Sequence, residues 1–218
     1  MEMTDFCADV PQSLRTRLAQ SQPQHDPLYW RLAGQRVIDT DPRIRALLPA
    51  EPRAAAVLVP LVQGEQGTGI LLTVRAAGLR HHANQISFPG GRIESGDADP
   101  AAAALREAQE EIGLQAVQTQ VLGYLPDHVV FTGYRITPVV AWVGGALQLR
   151  HDPAEVADSF LLPLSVLLSG SHEVAAVRHL AGVQVPSRDI HYGDHRIWGA
   201  TAGILMCLRH LLLDEELA

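Results

Sequence analysis

The stretch "GGRIESGDADPAAAALREAQEEIGL", Gly90 to Leu114, decides how this chain is read. Its second part carries the marks of a helix. Asp99 suits the N-cap, Pro100 suits the first helical position, the alanines that follow are strong helix formers, and Gly113 predicts a left-handed stop. At about 100° per residue, Glu107, Glu110 and Glu111 fall within an arc of roughly 100° on that helix. The arrangement works against the helix. Glu107 and Glu111 are a like-charge i, i+4 pair costing about 0.2–0.5 kcal/mol, and all three lie towards the end where the helix dipole disfavours anions. A divalent cation would reverse both effects. Mg²⁺ and Mn²⁺ are hard ions that take oxygen ligands and bridge carboxylates to phosphates. Upstream, Gly90 and Gly91 permit a ligand to approach the backbone closely. Glu94 and Asp97 place a second acidic group in the loop between, so loop and helix can surround a phosphate–metal cluster. Taken alone, the helix also fits a solvated acidic face on which Arg106 pairs with Glu110.

Outward from this stretch the chain reads as mixed α and β. Residues 1 to about 52 form a helical, loop-rich extension, with short helices predicted at "PQSLRTRLAQ" and at "DPRIRALL", the latter capped by Asp41 with Pro42 in its first turn. "AAAVLVPLV" (55–63) and "TGILLTVRA" (68–76) are apolar, β-prone runs joined by a hairpin loop. The segment 78–99 is too rich in Gly, Pro and His for one element and predicts a loop around a short strand, "QISF". After the helix, strands are expected at "VQTQVLGYL", "RITPVVAWV", "HEVAAVRHL" and "RDIHY", with a short strand and helix in "DPAEVADSFLLPLSVLL" and a core-facing helix in "WGATAGILMCLRHLLL". The order is not a regular βαβ alternation. It predicts an α+β fold, a mixed sheet sandwiched by helices, with one domain over 53–218 behind the extension.

Composition narrows the function. The 218 residues include 24 acidic and 17 basic ones, for a net charge of −7, which disfavours a nucleic-acid binder. All 17 basic residues are arginine, which removes P-loop, Schiff-base and Ser-Lys chemistry. The two cysteines, Cys7 and Cys207, form no CxxC and no disulfide framework, so a reducing cytoplasm is the expected compartment. The N-terminus lacks the apolar core of a signal peptide, and no apolar run reaches the length of a membrane span. The histidines show no zinc spacing. Trp142 and Trp198 lie in apolar stretches and read as core.

On these residues the chain resembles the Nudix hydrolases. Their box, G-x5-E-x7-R-E-U-x-E-E-x-G-U with U apolar, is similar to Gly91 followed by Arg106, Glu107, Ala108, Glu110, Glu111, Gly113 and Leu114. Two departures stand out: Asp97 occupies the place of the first glutamate, and eight residues separate it from Arg106. A second stretch, "LLTVRAAGLRHHANQISFPGG" (71–91), is similar to the motif of the coenzyme A pyrophosphatase branch, L-L-T-x-R-[SA]-x3-R-x3-G-x3-F-P-G-G. Leu71, Leu72, Thr73, Arg75, Ala76, Arg80, Phe88, Pro89, Gly90 and Gly91 fit it, and Asn84 replaces a glycine. Asn is the non-glycine residue that best tolerates the left-handed conformation.

The resemblance implies a Nudix-type α/β/α sandwich and metal-dependent hydrolysis of coenzyme A, with acyl-CoA as a further substrate, to 3′,5′-ADP and 4′-phosphopantetheine. It implies Mg²⁺ or Mn²⁺ at Glu107, Glu110, Glu111, Asp97 and Gly91. Glu107 or Glu110, or a nearby carboxylate, is the general base, and Arg106 orients a glutamate. Arg75, Arg80, Asn84, Phe88 and Gly90 line the substrate, the two arginines being candidates for its phosphates, including the 3′-phosphate. A Nudix hydrolase of ADP-ribose, NADH or another nucleoside diphosphate derivative, and a non-catalytic Nudix-like binding module, are the competing readings. The partner expected is a small molecule, with neither nucleic acid nor membrane; a homodimer is left open.

Overall fold

The structure, a computed structural model, describes residues 12–65, 67–79, 82–180 and 182–213; Cys7, Arg80 and His81 lie outside these. Helix α1 (Gln12–Ala19) is followed by a two-stranded ribbon, β1 (Arg31–Leu32) and β2 (Gln35–Arg36), and by one helical turn, α2 (Pro42–Arg45). The Asp41 side chain caps that turn by accepting the Arg43 N–H at 2.8 Å. The hairpin β3 (Arg53–Gly64) and β4 (Gly67–Arg75) leads to the short strands β5 (Ile86–Ser87) and β6 (Gly90–Arg92), then to α3 (Pro100–Ile112). Strands β7 (Thr119–Tyr124), β8 (His128–Val130), β9 (Tyr134–Val143) and β10 (Val156–Pro163) follow. The chain continues with α4 (Leu164–Ser169), strands β11 (Glu173–Leu180), β12 (Val183–Tyr192) and β13 (His195–Ile197), and α5 (Gly199–Leu213).

Ten strands form one mixed sheet in the order β10-β4-β3-β9-β8-β1-β2, with β5 on β4, β6 on β3 and β7 on β9. The parallel pair β3/β9 runs through its centre from Arg53↔Tyr134 to Val62↔Val143. Strand alternation divides its side chains between two cores. Ala56, Leu58 and Val62 of β3 join Ala101, Ala104, Ala108 and Ile112 of α3 on one face. Val59 and Leu61 join Leu164 of α4 and Ile204, Leu205 and Leu208 of α5 on the other. The mixed sheet between helices is the architecture the sequence predicts. β11, β12 and β13 make a separate three-stranded antiparallel sheet.

Two regions differ from the sequence reading. "QISF" holds the short strand expected there, β5, but a second one follows it: Pro89 lacks the N–H a ladder needs, and Gly90 sits at φ 154°, so the chain leaves β4 after Ser87 and rejoins the sheet on β3 as β6. The extension is also more than helix and loop. Its ribbon enters the large sheet where Arg31 of β1 pairs in parallel with His128 of β8, and Leu18 and Ile44 are buried. Alternation was too short there to be read, since β1 and β2 have two residues each. The ribbon turn presses on α5 so closely that a Cβ on Gly203 would stand 2.6 Å from the Gly34 nitrogen.

Beneath the ribbon lies a buried polar group. Asp127 accepts the Thr137 hydroxyl at 2.8 Å. His128 hydrogen-bonds Pro126 O through Nδ1 at 3.0 Å and faces Cys207 Sγ through Nε2 at 3.8 Å. Burial pulls the His128 imidazole down to about 4 and pushes the Cys207 thiol up to about 12, so both stay neutral. Cys207 is the core residue its apolar context predicts. Among the described residues no helix is long and apolar enough to cross a membrane.

Candidate active site

Helix α3 presents the site, and both its ends are fixed. Asp99 accepts the Ala102 N–H at 2.8 Å, and Gly113 closes the helix at φ 71°. Its sheet-facing side is alanine, which lets it lie close on β3 and β6 and brings the glutamates against the backbone of the "FPGG" turn. A Cβ on Gly91 would stand 2.5 Å from the Glu107 carboxylate, so any side chain there would push that carboxylate from its place. The Gly90 N–H donates to Glu111 Oε2 at 3.2 Å.

The three glutamates occupy different environments. The Glu111 side chain is only 4% exposed, and the guanidinium beside it among the described residues, Arg75 Nη1, is 3.9 Å away. Burial therefore dominates and pushes its carboxyl up to about 8, against the opposing pull of the Gly90 N–H and Arg75. Burial also raises Glu107, with Arg106 pulling the other way. Glu110 is the exposed member and accepts from Arg106 Nη1 at 3.2 Å.

Arg106 is the hub. Its Nε and Nη2 grip both oxygens of Asp97 at 3.0 Å, its Nη1 reaches Glu107 at 2.9 Å, and Nη2 also donates to Arg92 O at 3.0 Å. Asp97 accepts the Glu94 N–H at 2.8 Å as well. The Arg106 fork holds Asp97 below the usual carboxylate range. Both Asp97 oxygens are thus engaged behind the glutamates. Asn84 takes up the left-handed conformation at φ 60°, as its place in the glycine position of the motif predicts, and its N–H donates to Arg75 O at 3.1 Å. Phe88 is buried in the core on the α5 side. Arg75 leaves its buried Nε without a hydrogen-bond partner. Arg80 lies outside the described residues.

A NUDIX domain matches residues 52–181, which contain the whole of this arrangement. The chain belongs to the Nudix family. It is 40% identical over 158 residues to the Nudix hydrolase NudL of Enterobacter sp. (strain 638), covering 70% of this chain and 79% of that protein. It is 39% identical over 161 residues to NudL of Escherichia coli (strain K12), again covering 70% and 79%. Among solved structures, a C. elegans Ap4A hydrolase binary complex matches with a TM-score of 0.44 and 20% identity, over 51% of this chain and 80% of that one.

Nudix hydrolases act on nucleoside diphosphate derivatives and generally use divalent metal ions. Among the described residues no three acidic, histidine or cysteine side chains converge into a ready-made metal cage. The residues of this Nudix helix nevertheless fit such an ion. Glu111 is a buried carboxylate without a close ion pair, Gly91 leaves room where a side chain would stand, and every donor is an oxygen suited to a hard cation. One neighbour escaped the sequence reading. Glu155, in the turn before β10, raises the carboxyls of both Glu107 and Glu111 through its charge. Its main-chain oxygen accepts the Ala76 N–H at 2.8 Å, which ties the turn to the end of β4. No spacing in the sequence links it to α3; only the β4/β10 pairing does. A cleft of about 520 Å³ runs along the C-terminal end of the Nudix helix, bordered by Glu110, Gln109, Arg150 and His151.

Proposed function

We propose that the protein is a Mg²⁺- or Mn²⁺-dependent diphosphatase of coenzyme A, with acyl-CoA as a further substrate, releasing 3′,5′-ADP and 4′-phosphopantetheine. The observation that carries the reading is the position of segment 71–91. The stretch that resembles the coenzyme A branch is the one that brings Arg75 and the Gly90 N–H to Glu111. Substrate selection and metal binding would then share one wall.

On this reading Glu107, Glu110 and Glu111 hold the metal, which when bound neutralises the diphosphate oxygens and lowers the pKa of water. Asp97 clamps the Arg106 fork, and Arg106 in turn orients Glu107 and Glu110. The Arg75 guanidinium, part of which stays exposed beside Glu111, would meet a diphosphate oxygen, where it gains most from a fixed anion. Glu107 or Glu110 takes the proton from a water attacking phosphorus in line with the departing phosphate oxygen, and Glu155, whose charge acts on both Glu107 and Glu111, is the nearby carboxylate that competes for that role. Gly91 keeps space for Glu107. Asn84 and Phe88 shape the segment that carries Arg75, and Arg80 is a further candidate for the phosphates of the substrate, as the motif implies. Residues 53–218 would make up the hydrolase domain and residues 1–52 an extension, of which the described part, from Gln12 onward, packs against it.

The test is to incubate purified protein and Mg²⁺ or Mn²⁺ separately with CoA, acyl-CoA, ADP-ribose and NADH, and to resolve the products by chromatography. Cleavage of CoA to the two named products is expected. Rapid cleavage of ADP-ribose with CoA left intact would replace this reading, and no cleavage of any of the four would point to a binding module.

A further inference from the structure

Two arginines near the glutamate site converge on one tyrosine. The Arg53 guanidinium lies 4.3 Å over the centroid of the Tyr134 ring, and that of Arg92 stands 5.6 Å from it. Arg92 Nε also donates to the Tyr134 hydroxyl at 2.8 Å. Strand register produces the cluster. Arg53 and Tyr134 are direct partners across β3/β9, and Arg92 is opposite Ala55, two residues along β3.

The pairing of these two arginines is unusual for this chain. Among the described residues neither has a carboxylate within 4.0 Å; apart from the tyrosine, Arg53 reaches only Thr132 O, at 3.5 Å. By contrast Arg36, Arg43, Arg106, Arg178 and Arg196 each sit 2.6–3.0 Å from an aspartate. In a protein of net charge −7, leaving two exposed guanidiniums together without an acid is a local excess of positive charge. The tyrosine ring attracts both cations but leaves most of their N–H donors free. The logic mirrors that of the glutamates on α3: like charges held together are unfavourable until a counter-ion arrives.

Position ties this cluster to the active site. Arg92 follows Gly91, the residue against which Glu107 packs, and Arg92 O accepts from Arg106. One residue advances a strand by about 3.3 Å and turns the side chain to the other face of the sheet. A group bound by Arg92 would therefore lie near the diphosphate, but across β6 from it.

We propose that Arg53, Tyr134 and Arg92 form a second anion subsite, which takes a phosphomonoester of the substrate distinct from the diphosphate that is cleaved. Two guanidinium forks and a hydroxyl match the three outer oxygens and double charge of a phosphomonoester. The identity of that group as the 3′-phosphate of coenzyme A rests on the function proposed above. It assigns the monoester to this clamp and leaves Arg75 for the diphosphate.

The test compares kcat/KM for CoA and for 3′-dephospho-CoA in the wild type and in Arg53→Ala, Arg92→Ala and Arg92→Lys, with thermal melts as a check on folding. The wild type should prefer CoA. Each alanine variant should lose about tenfold or more in kcat/KM for CoA and much less for dephospho-CoA, with KM carrying the change. Arg92→Lys should fall between. An equal loss on both substrates, or no loss on either, would overturn the subsite and leave the cluster as a surface staple. If the wild type cleaves neither compound, the substrate reading fails by itself. The subsite is then decided by calorimetry with 3′,5′-ADP against AMP: a preference for the bisphosphate that both alanine variants abolish sustains it, and equal affinities refute it.

Discussion

Replacing Glu111 by glutamine should make the protein more stable and less active. Glu111 is a buried carboxylate whose pKa rises from the ordinary 4.5 to about 8. The sign follows from proton linkage. Below pH 4.5 the folded and unfolded chains both carry the proton and nothing is lost. As the pH rises towards 8 the unfolded chain releases its proton while the folded one retains it, so stability falls across that window. At pH 7 the metal-free wild type has lost about 3 kcal/mol relative to a side chain that does not ionise. The amide of Glu111→Gln stays neutral, and its oxygen can still accept the Gly90 N–H. Without metal, the variant should melt as much as ~6–12 °C higher at pH 7, with the gap closing near pH 4.5. With Mg²⁺ or Mn²⁺ the wild type should gain stability and the variant much less, since a ligand charge is missing. Activity should fall by about two orders of magnitude or more. The assays are calorimetric melts across pH, with and without metal, beside product formation. A variant that melts lower than wild type without metal at pH 7, or that keeps full activity, would refute the reasoning.

Other perturbations separate space, orientation and burial. Gly91→Ala places a Cβ 2.5 Å from the Glu107 carboxylate, the movable end of a side chain, so activity should fall at least ~10-fold with a stability change under about 1 kcal/mol. Gly90→Ala meets the backbone of Ala56 and Val57 at φ 154° and should instead cost about 3 kcal/mol or more; denaturant midpoints distinguish the two. Arg106→Lys keeps the charge but loses the fork that joins Asp97 to the glutamates, and kcat should fall about tenfold or more; an unchanged kcat would rule out its orienting role. The unfolded chain protonates His128 near the ordinary 6.5, whereas the folded one resists to about 4. Stability should therefore drop by up to about 3 kcal/mol as pH falls through that window. NMR titration of the imidazole would show this directly, and a folded-state midpoint near 6.5 would contradict it.

What could be read from the sequence followed the range of the interactions involved. Helix α3 was fully legible because its cap, its alanines, its stop and its three carboxylates all act within one short segment. The hairpin β3–β4 was legible for the same reason: two apolar runs flank a glycine-bearing turn. The cradle around Glu111 was only half visible. Gly90 and Arg75 were singled out, but their meeting with Glu111 depends on β6 crossing to β3 while β5 stays on β4, which no local pattern encodes. Glu155 and the Arg53–Tyr134–Arg92 cluster arise from strand register between distant segments. The ribbon β1–β2 was missed because two residues are too few to show alternation. Asp97 was found by its motif position, but its engagement by Arg106 is a fact of three dimensions.

The contact between Gly34 and Gly203 sets an order of events for folding. These residues come from opposite ends of the described chain, so the contact has a very large sequence separation, and separations of that kind close late and slowly. The sheet around β3, β4 and β9 can assemble from intervening segments. The ribbon cannot lock until α5 has docked, and until then Leu18 and Ile44 lack their final cover. Refolding should accordingly show the glutamate-bearing face forming before the edge of the sheet is sealed. A bulkier residue at Gly203 should slow that last step or strand it, leaving a protein whose Nudix helix is in place while its opposite flank remains open.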